Sequence, residues 1–523
     1  MIASLILAVV PLLYASVPLT TPGEALRTGG PPPPHDCGTF QFAPRFTTVG
    51  PLGHVRGDGA QPRSRSSLTP DRDAWGLYPN YRVSEHFIVK WGNTGGVTED
   101  EVAWLQEAFE RAWAVEVEEM GHPAPDGTDT YLFNVYIGDT GDGTPGSYGA
   151  GGYYNRDDQG YPMIVIARDS LRYPAYVQET APHEFYHALQ DELASYPYTG
   201  DSAWYWEATA EWAAGEVLPE NDSYAQFLFG YGYLTELSVE FFDYPDEGTL
   251  QEYHQYGAFI FPRFVSEIAA DRQVIVDSWI RPTSATPLAS IRDALAARGQ
   301  SLADVFGAFA ARNATWAYED GGVYQDILDT YDAYYPGEQH EIDEVGSAGT
   351  DGLVRPDAST LPQAWGYNTV WLGPPREGFD LHVQVDNVGT WDSPAAWRVS
   401  LVRADGTVTP VDVSTGVGEL TIRGSEDAWL VAAAVPERSR NDERFGWAYE
   451  ATPAAPEEVV DTGGDDSGTW GADDSADEKA DPTSCGCASW GGNGPTGPLT
   501  PVGGPGVVSA ALLGMLVARR RER

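Results

Sequence analysis

Lysine is all but missing from this chain: 523 residues contain only Lys90 and Lys479. Cysteine is nearly as scarce, with Cys37, Cys485 and Cys487 alone, so no disulfide framework can replace a packed core. Basic residues of either kind number 31 against 77 acidic ones, a formal net charge of −46. Such an excess repels phosphates and excludes nucleic acid as a partner. It suits a salty or extracellular setting, where counterions screen it. Aromatics are plentiful instead, with 17 Trp and 28 Tyr, enough for a sizeable core and for two or three domains at this length.

Nine histidines are present, and two of them stand in His183-Glu184-Phe185-Tyr186-His187. Residues four apart share one face of a helix, so both imidazoles can reach one Zn2+ ion. Glu184 follows the first and can hold the attacking water as a general base. A catalytic zinc needs a third protein ligand and an open position. Trp204 to Trp212 offers Glu207, with nineteen residues between it and His187. The gap has room for a helix end, a loop over 195–202 broken by Pro197 and Gly200, and a second helix. Glu211 lies one turn past Glu207 and can face the first helix too. The nearer carboxylate ligates, and Glu211 or Asp191 can accept a hydrogen bond from the outer nitrogen of an imidazole.

An H-E-x-x-H followed by a glutamate on a second helix at this spacing resembles the gluzincin branch of zinc metallopeptidases. The resemblance implies peptide-bond hydrolysis, with His183, His187 and Glu207 as ligands and Glu184 as base. It also implies an edge strand ahead of the zinc helix that pairs with substrate backbone, for which Tyr161–Ala167 is the candidate. The best-known members carry asparagine before the third ligand, where this chain has Trp206. Such enzymes often place a Tyr near Gly-Ala in a later helix, where its hydroxyl stabilises the oxyanion. Residues 253–267 read as a buried helix of that kind, and Tyr253, Tyr256 and His254 are the candidates.

Along the chain, residues 1–25 read as a secretory signal peptide, with an apolar run from Leu5 to Leu13. Residues 26–84, rich in Pro, Gly, Arg and Ser, read as a linker or pro-segment. The zinc metalloprotease domain is expected over 85–345. It has strands at 86–91, 130–137 and 161–167, a helix from an N-cap at Thr98 to Met120, and further helices to about 315. Strands first and helices after give an α+β order, zincin-like. Short alternating runs over 350–450 predict a small β-sandwich. Acidic loops at 138–143 and 155–158 could hold Ca2+.

Residues 452–482 read as an acidic disordered stalk. Over 483–523, Cys485-Gly-Cys487, the apolar run 507–518 and the arginines from Arg519 follow in order. That order resembles the MYXO-CTERM sorting signal of myxobacteria-like bacteria, which implies export and retention at the cell surface. It makes the C-terminal segment the chain's membrane contact. The expectation is an exported zinc metalloendopeptidase acting on protein or peptide substrates. An alternative is a surface-displayed binding or adhesion protein on an inactive zincin scaffold. Glu184→Gln distinguishes the two. An aminopeptidase would need a site for the free amine, and no motif for one is visible in the sequence.

Overall fold

The computed structural model describes residues 78–453, except 158–159, 244–249, 335–351, 374–377, 425, 439 and 441. The readings for the leader, most of the linker, the stalk and the Cys–apolar–Arg tail lie outside the described residues. The first elements are β1 (Asn80–Val83), β2 (Phe87–Trp91), α1 (Glu99–Ala112), β3 (Phe133–Gly138), β4 (Gly152–Arg156) and β5 (Pro162–Ala167). β1 falls inside the span read as linker, because its alternation over four residues is too short to register. The strands form one sheet in the order β1-β2-β3-β5-β4, with β2, β3 and β5 parallel and the outer two antiparallel. β2, β3 and β5 are buried at every position, which is why they read as mostly apolar runs, interrupted only by Lys90 in β2 and Asn134 in β3. The expected edge strand, β5, is therefore interior. The edge is β4, whose five residues follow a glycine-rich turn and give too little pattern to detect.

Thr98 caps α1 through a reciprocal box: its backbone N–H donates to Glu101 Oε2 at 2.7 Å, and its hydroxyl accepts from Glu101 N at 3.3 Å. The chain then widens into a π-helical segment, Trp113–Glu119, before leaving at Met120.

Helices follow: α2 (Pro174–Leu193), α3 (Ala203–Val217), α4 (Leu228–Gly232), α5 (His254–Gly257), α6 (Ile260–Phe264), α7 (Gln273–Ile280), α8 (Pro287–Ala296), α9 (Leu302–Asn313) and α10 (Gly321–Tyr334). The helix expected over 253–267 is broken into α5, α6 and a π-helical turn. α2 starts on a proline, whose missing N–H costs nothing there, and ends at Ala194 in the left-handed region. Phe185 sits two residues from each histidine, roughly 200° round the helix. It meets Phe87 at 5.2 Å and Phe133 at 5.6 Å between ring centres. That contact seats one face of α2 on the sheet and turns the imidazoles toward α3. α3 is buried all round apart from Glu216, as expected of a helix with no polar face.

The C-terminal strands are β6 (Gly366–Gly373), β7 (Phe379–Val385), β8 (Trp397–Arg403), β9 (Val408–Val411), β10 (Val417–Ile422), β11 (Ala428–Ala434) and β12 (Trp447–Pro453). They make two antiparallel sheets, β10-β7-β12 and β6-β11-β8-β9. Leu381, Val383, Leu401, Leu430 and Trp447 fill a core drawn from both. The other face of the four-stranded sheet is not solvated. Tyr367, Val402 and Val431 belong to the same core as the helices. There Phe309 lies 6.1 Å from the Tyr367 ring, and Asn313 Nδ2 donates to Tyr367 Oη at 2.9 Å. The described residues thus form one compact α+β unit with no seam where the two domains were expected to part. No helix among them is long and apolar enough to cross a membrane.

Candidate metal centre

α2 and α3 bring His183, His187, Glu207 and Glu211 together, all buried. The two Nε2 atoms are 3.1 Å apart, and Glu207 Oε2 lies 3.3 Å from one and 3.5 Å from the other. Tetrahedral ligands at roughly 2.0–2.1 Å from a zinc ion stand about 3.3 Å from one another. The triangle therefore fits a tetrahedral ion of that size.

The outer nitrogens fix what the inner ones present. His187 Nδ1 donates to Gln190 Oε1 at 2.7 Å, and Gln190 Nε2 in turn donates to Trp206 O at 2.9 Å and Thr209 Oγ1 at 3.0 Å. His183 Nδ1 faces Glu211 Oε1 at 3.6 Å, within ion-pair range. With each Nδ1 carrying the proton, two imidazole lone pairs and a carboxylate oxygen converge on one buried point, a donor set that suits a cation. Without an ion the imidazoles can donate from Nε2 instead: burial alone would raise the Glu207 pKa, but the charge of His187 and hydrogen bonds from both imidazoles bring it to about 2. Tyr198 donates its hydroxyl to the other Glu207 oxygen. Trp206, where the resemblance has asparagine, stacks on His187 at 6.1 Å.

Glu184 is fully buried and lines a cleft beside His183 with Gly152 of β4 and Tyr256 of α5. A Cβ on Gly152 would lie 2.9 Å from Thr180 Cγ2 and 3.3 Å from Glu184 Cγ, so only glycine lets the edge strand pass this near. The cleft encloses about 250 Å³, mouth included. Tyr256 is the one oxyanion candidate on the cleft wall, its ring 6.4 Å from that of His183. Tyr253 stacks on Phe227 at 5.4 Å, outside the cleft. His254 is buried against Tyr231 and Phe241, where desolvation brings its pKa down to about 3.

Asp191 is not beside an imidazole. It accepts from Tyr154 Oη at 2.5 Å and pairs with Arg156, both on β4. The partner of His187 is Gln190, one residue earlier. The 138–143 loop suggested for calcium spends its carboxylates locally: Asp139 Oδ2 accepts from Ser147 N at 3.0 Å and Asp142 Oδ2 from Asn93 N at 2.6 Å. In the 155–158 loop Asp157 Oδ1 accepts from Tyr161 N at 3.0 Å, and Asp158 lies outside the described residues. Among the described residues, every acidic or histidine cluster close enough to hold an ion includes His183.

A family model matches residues 61–451, three quarters of the chain and both halves of the fold. The chain belongs to DUF6055, a family of unknown function. No curated protein matches it. The DUF6055 match takes in α2, α3, the cleft and the β-sandwich as far as residue 451 in β12.

Proposed function

We propose that this DUF6055 chain is an exported zinc-dependent metalloendopeptidase with a gluzincin-like, zincin-type catalytic fold. The observation that carries the reading is the convergence of His183 Nε2, His187 Nε2 and Glu207 Oε2, with Glu184 and Tyr256 on the cleft beside it. The ligands would be those three atoms, and bound zinc supplies a Lewis acid that polarises a carbonyl and acidifies water. Glu184 takes the proton of the attacking water and delivers it to the leaving amine. The Tyr256 hydroxyl donates to the oxygen that gains charge in the tetrahedral state. An extended peptide adds to the outer edge of β4, whose backbone groups on that side have no neighbouring strand in the sheet. Gly152 holds that edge within reach of Glu184. The apolar leader and the Cys–apolar–Arg tail support export and retention at the surface.

Glu184→Gln tests this directly. The variant should retain one zinc per chain by metal analysis and lose about 10²–10⁴-fold in cleavage of a denatured protein substrate. Undiminished biological function in that variant would favour the binding or adhesion protein instead.

A further inference from the structure

The cleft holds two carboxyls that neither ligate nor transfer a proton in the proposed peptidase chemistry, although Glu211 also faces His183. Glu179 precedes His183 by one turn of α2, and Glu211 follows Glu207 by one turn of α3. They are 4 % and 1 % exposed and line the cleft beside Glu184. The donors near Glu179 Oε2 are distant: Thr180 Oγ1 and Gln226 Nε2 stand at 3.5 Å each. Glu211 Oε2 is buried and receives no hydrogen bond from a described residue. No Lys or Arg lines the cleft. The two carboxyls stand within 4.8 Å of each other and of His183, and they share a side-chain hydrogen bond. His183 Nδ1 stands 3.6 Å from Glu211 Oε1, and both carboxyls line the cleft. The phenol and phenyl rings of Tyr176, Tyr256 and Phe227 supply the rest of the wall.

Resting on the peptidase reading, we propose that this cleft is a subsite for a cationic group of the substrate, held by Glu179 and Glu211. An ammonium or guanidinium brings a close N–H donor to the buried Glu211 Oε2 and to Glu179, whose other donors stand at 3.5 Å, and offsets the like charge of the pair. The cation has two sources: a lysine or arginine side chain flanking the scissile bond, or the free α-amino group of a peptide. The second would make the enzyme an aminopeptidase.

The test uses the full-length, zinc-loaded Glu184→Gln chain, which binds without turning over. Calorimetry compares hexapeptides blocked at both ends, carrying lysine or isosteric norleucine at each position in turn, with their unblocked forms. One lysine position should bind about tenfold or more tighter than norleucine, as a hydrogen bond to a charged group predicts. Adding Glu179→Gln should erase the difference, and Glu179→Asp, which keeps the charge, should preserve most of it. If Glu179 dependence appears in the unblocked peptides alone, the cation is the α-amino group. Lysine, norleucine and unblocked peptides binding within twofold of one another would overturn the proposal. So would a lysine preference that survives Glu179→Gln. The wild-type chain on the same peptides keeps the two ideas apart. Glu179-dependent binding without cleavage retains the subsite and removes the peptidase; cleavage without cation preference does the reverse.

Discussion

Gln190→Leu is the sharpest probe of how the site is held. The glutamine accepts from His187 Nδ1 at 2.7 Å and anchors itself on α3 through Trp206 O and Thr209 Oγ1. Leucine has similar volume and fills the space, but offers no acceptor. Two losses follow. The buried imidazole N–H forfeits this bond, worth about 1–3 kcal/mol of stability in the metal-free protein. Thr209 is less affected, because Trp279 Nε1 still donates to it at 3.1 Å. The tautomer that turns Nε2 toward Glu207 is also no longer enforced, and outer partners of this kind contribute about 10–100-fold in metal affinity. Competition against a chromophoric chelator at fixed pH reads the affinity, and denaturant unfolding of the metal-free chain reads the stability. Glu211→Gln is the internal contrast, since it leaves an acceptor facing His183 Nδ1, and its loss of affinity should be smaller. Zinc affinity within twofold of wild type for Gln190→Leu would refute the claim that this relay presents the lone pair.

Three other outcomes are expected. Tyr256→Phe should lower kcat by about 10²–10³-fold with KM little changed, while Tyr253→Phe stays near wild type; equal effects would remove Tyr256 from the oxyanion role. Burial brings the His122 pKa down to about 4 from an unfolded value of roughly 6.5. The unfolded chain therefore binds the extra proton between those values, and stability falls as pH drops through that window, by at most about 3 kcal/mol. His122→Gln should flatten the slope, and an unchanged slope in denaturation against pH would count against it. A fragment ending at residue 345 should lack a cooperative thermal transition, because removal of the sandwich uncovers Phe306 and Phe309 at about 1.5–3 kcal/mol each. A melt at the full-length temperature would show that the two halves fold independently.

That last expectation shows where the sequence stops being legible. Alternation exposes β7 clearly, with Leu381, Val383 and Val385 turned inward and the residues between them more exposed. β11 is Ala-Trp-Leu-Val-Ala-Ala-Ala, buried almost throughout. Its second apolar face is the side pressed on α9, so a strand that reads only as a hydrophobic run was already reporting a third layer. Periodicity cannot say which element covers that face, because the covering residues, Phe306 and Phe309, lie more than a hundred positions upstream. The same limit hides β4. Five residues beside a glycine-rich turn carry too little pattern, yet their place at the sheet edge positions Gly152 against Glu184.

At the site itself, helical arithmetic reaches far but does not choose between neighbours. Four-residue spacing links His183 to His187 and Glu207 to Glu211, and α2 and α3 do bring all four side chains together. Counting back four from His183 reaches Glu179 just as directly, but a lone glutamate one turn upstream looks like any solvated helix charge until α3 buries it. Counting forward from His187, Gln190 and Asp191 lie about 60° and 40° off its direction at 100° per residue, so angle alone slightly favours the aspartate. The outcome is set across the fold. Arg156 and Tyr154 on β4 claim the Asp191 carboxylate, which gives Arg156 a closer counter-charge than Asp126 at 4.0 Å. Gln190, neutral and longer, is left to span from the imidazole to the backbone of α3. A charged residue goes where its counter-charge is, and in a chain with 31 basic side chains against 77 acidic ones, pairing with arginine leaves a subset of carboxylates free to face the imidazoles.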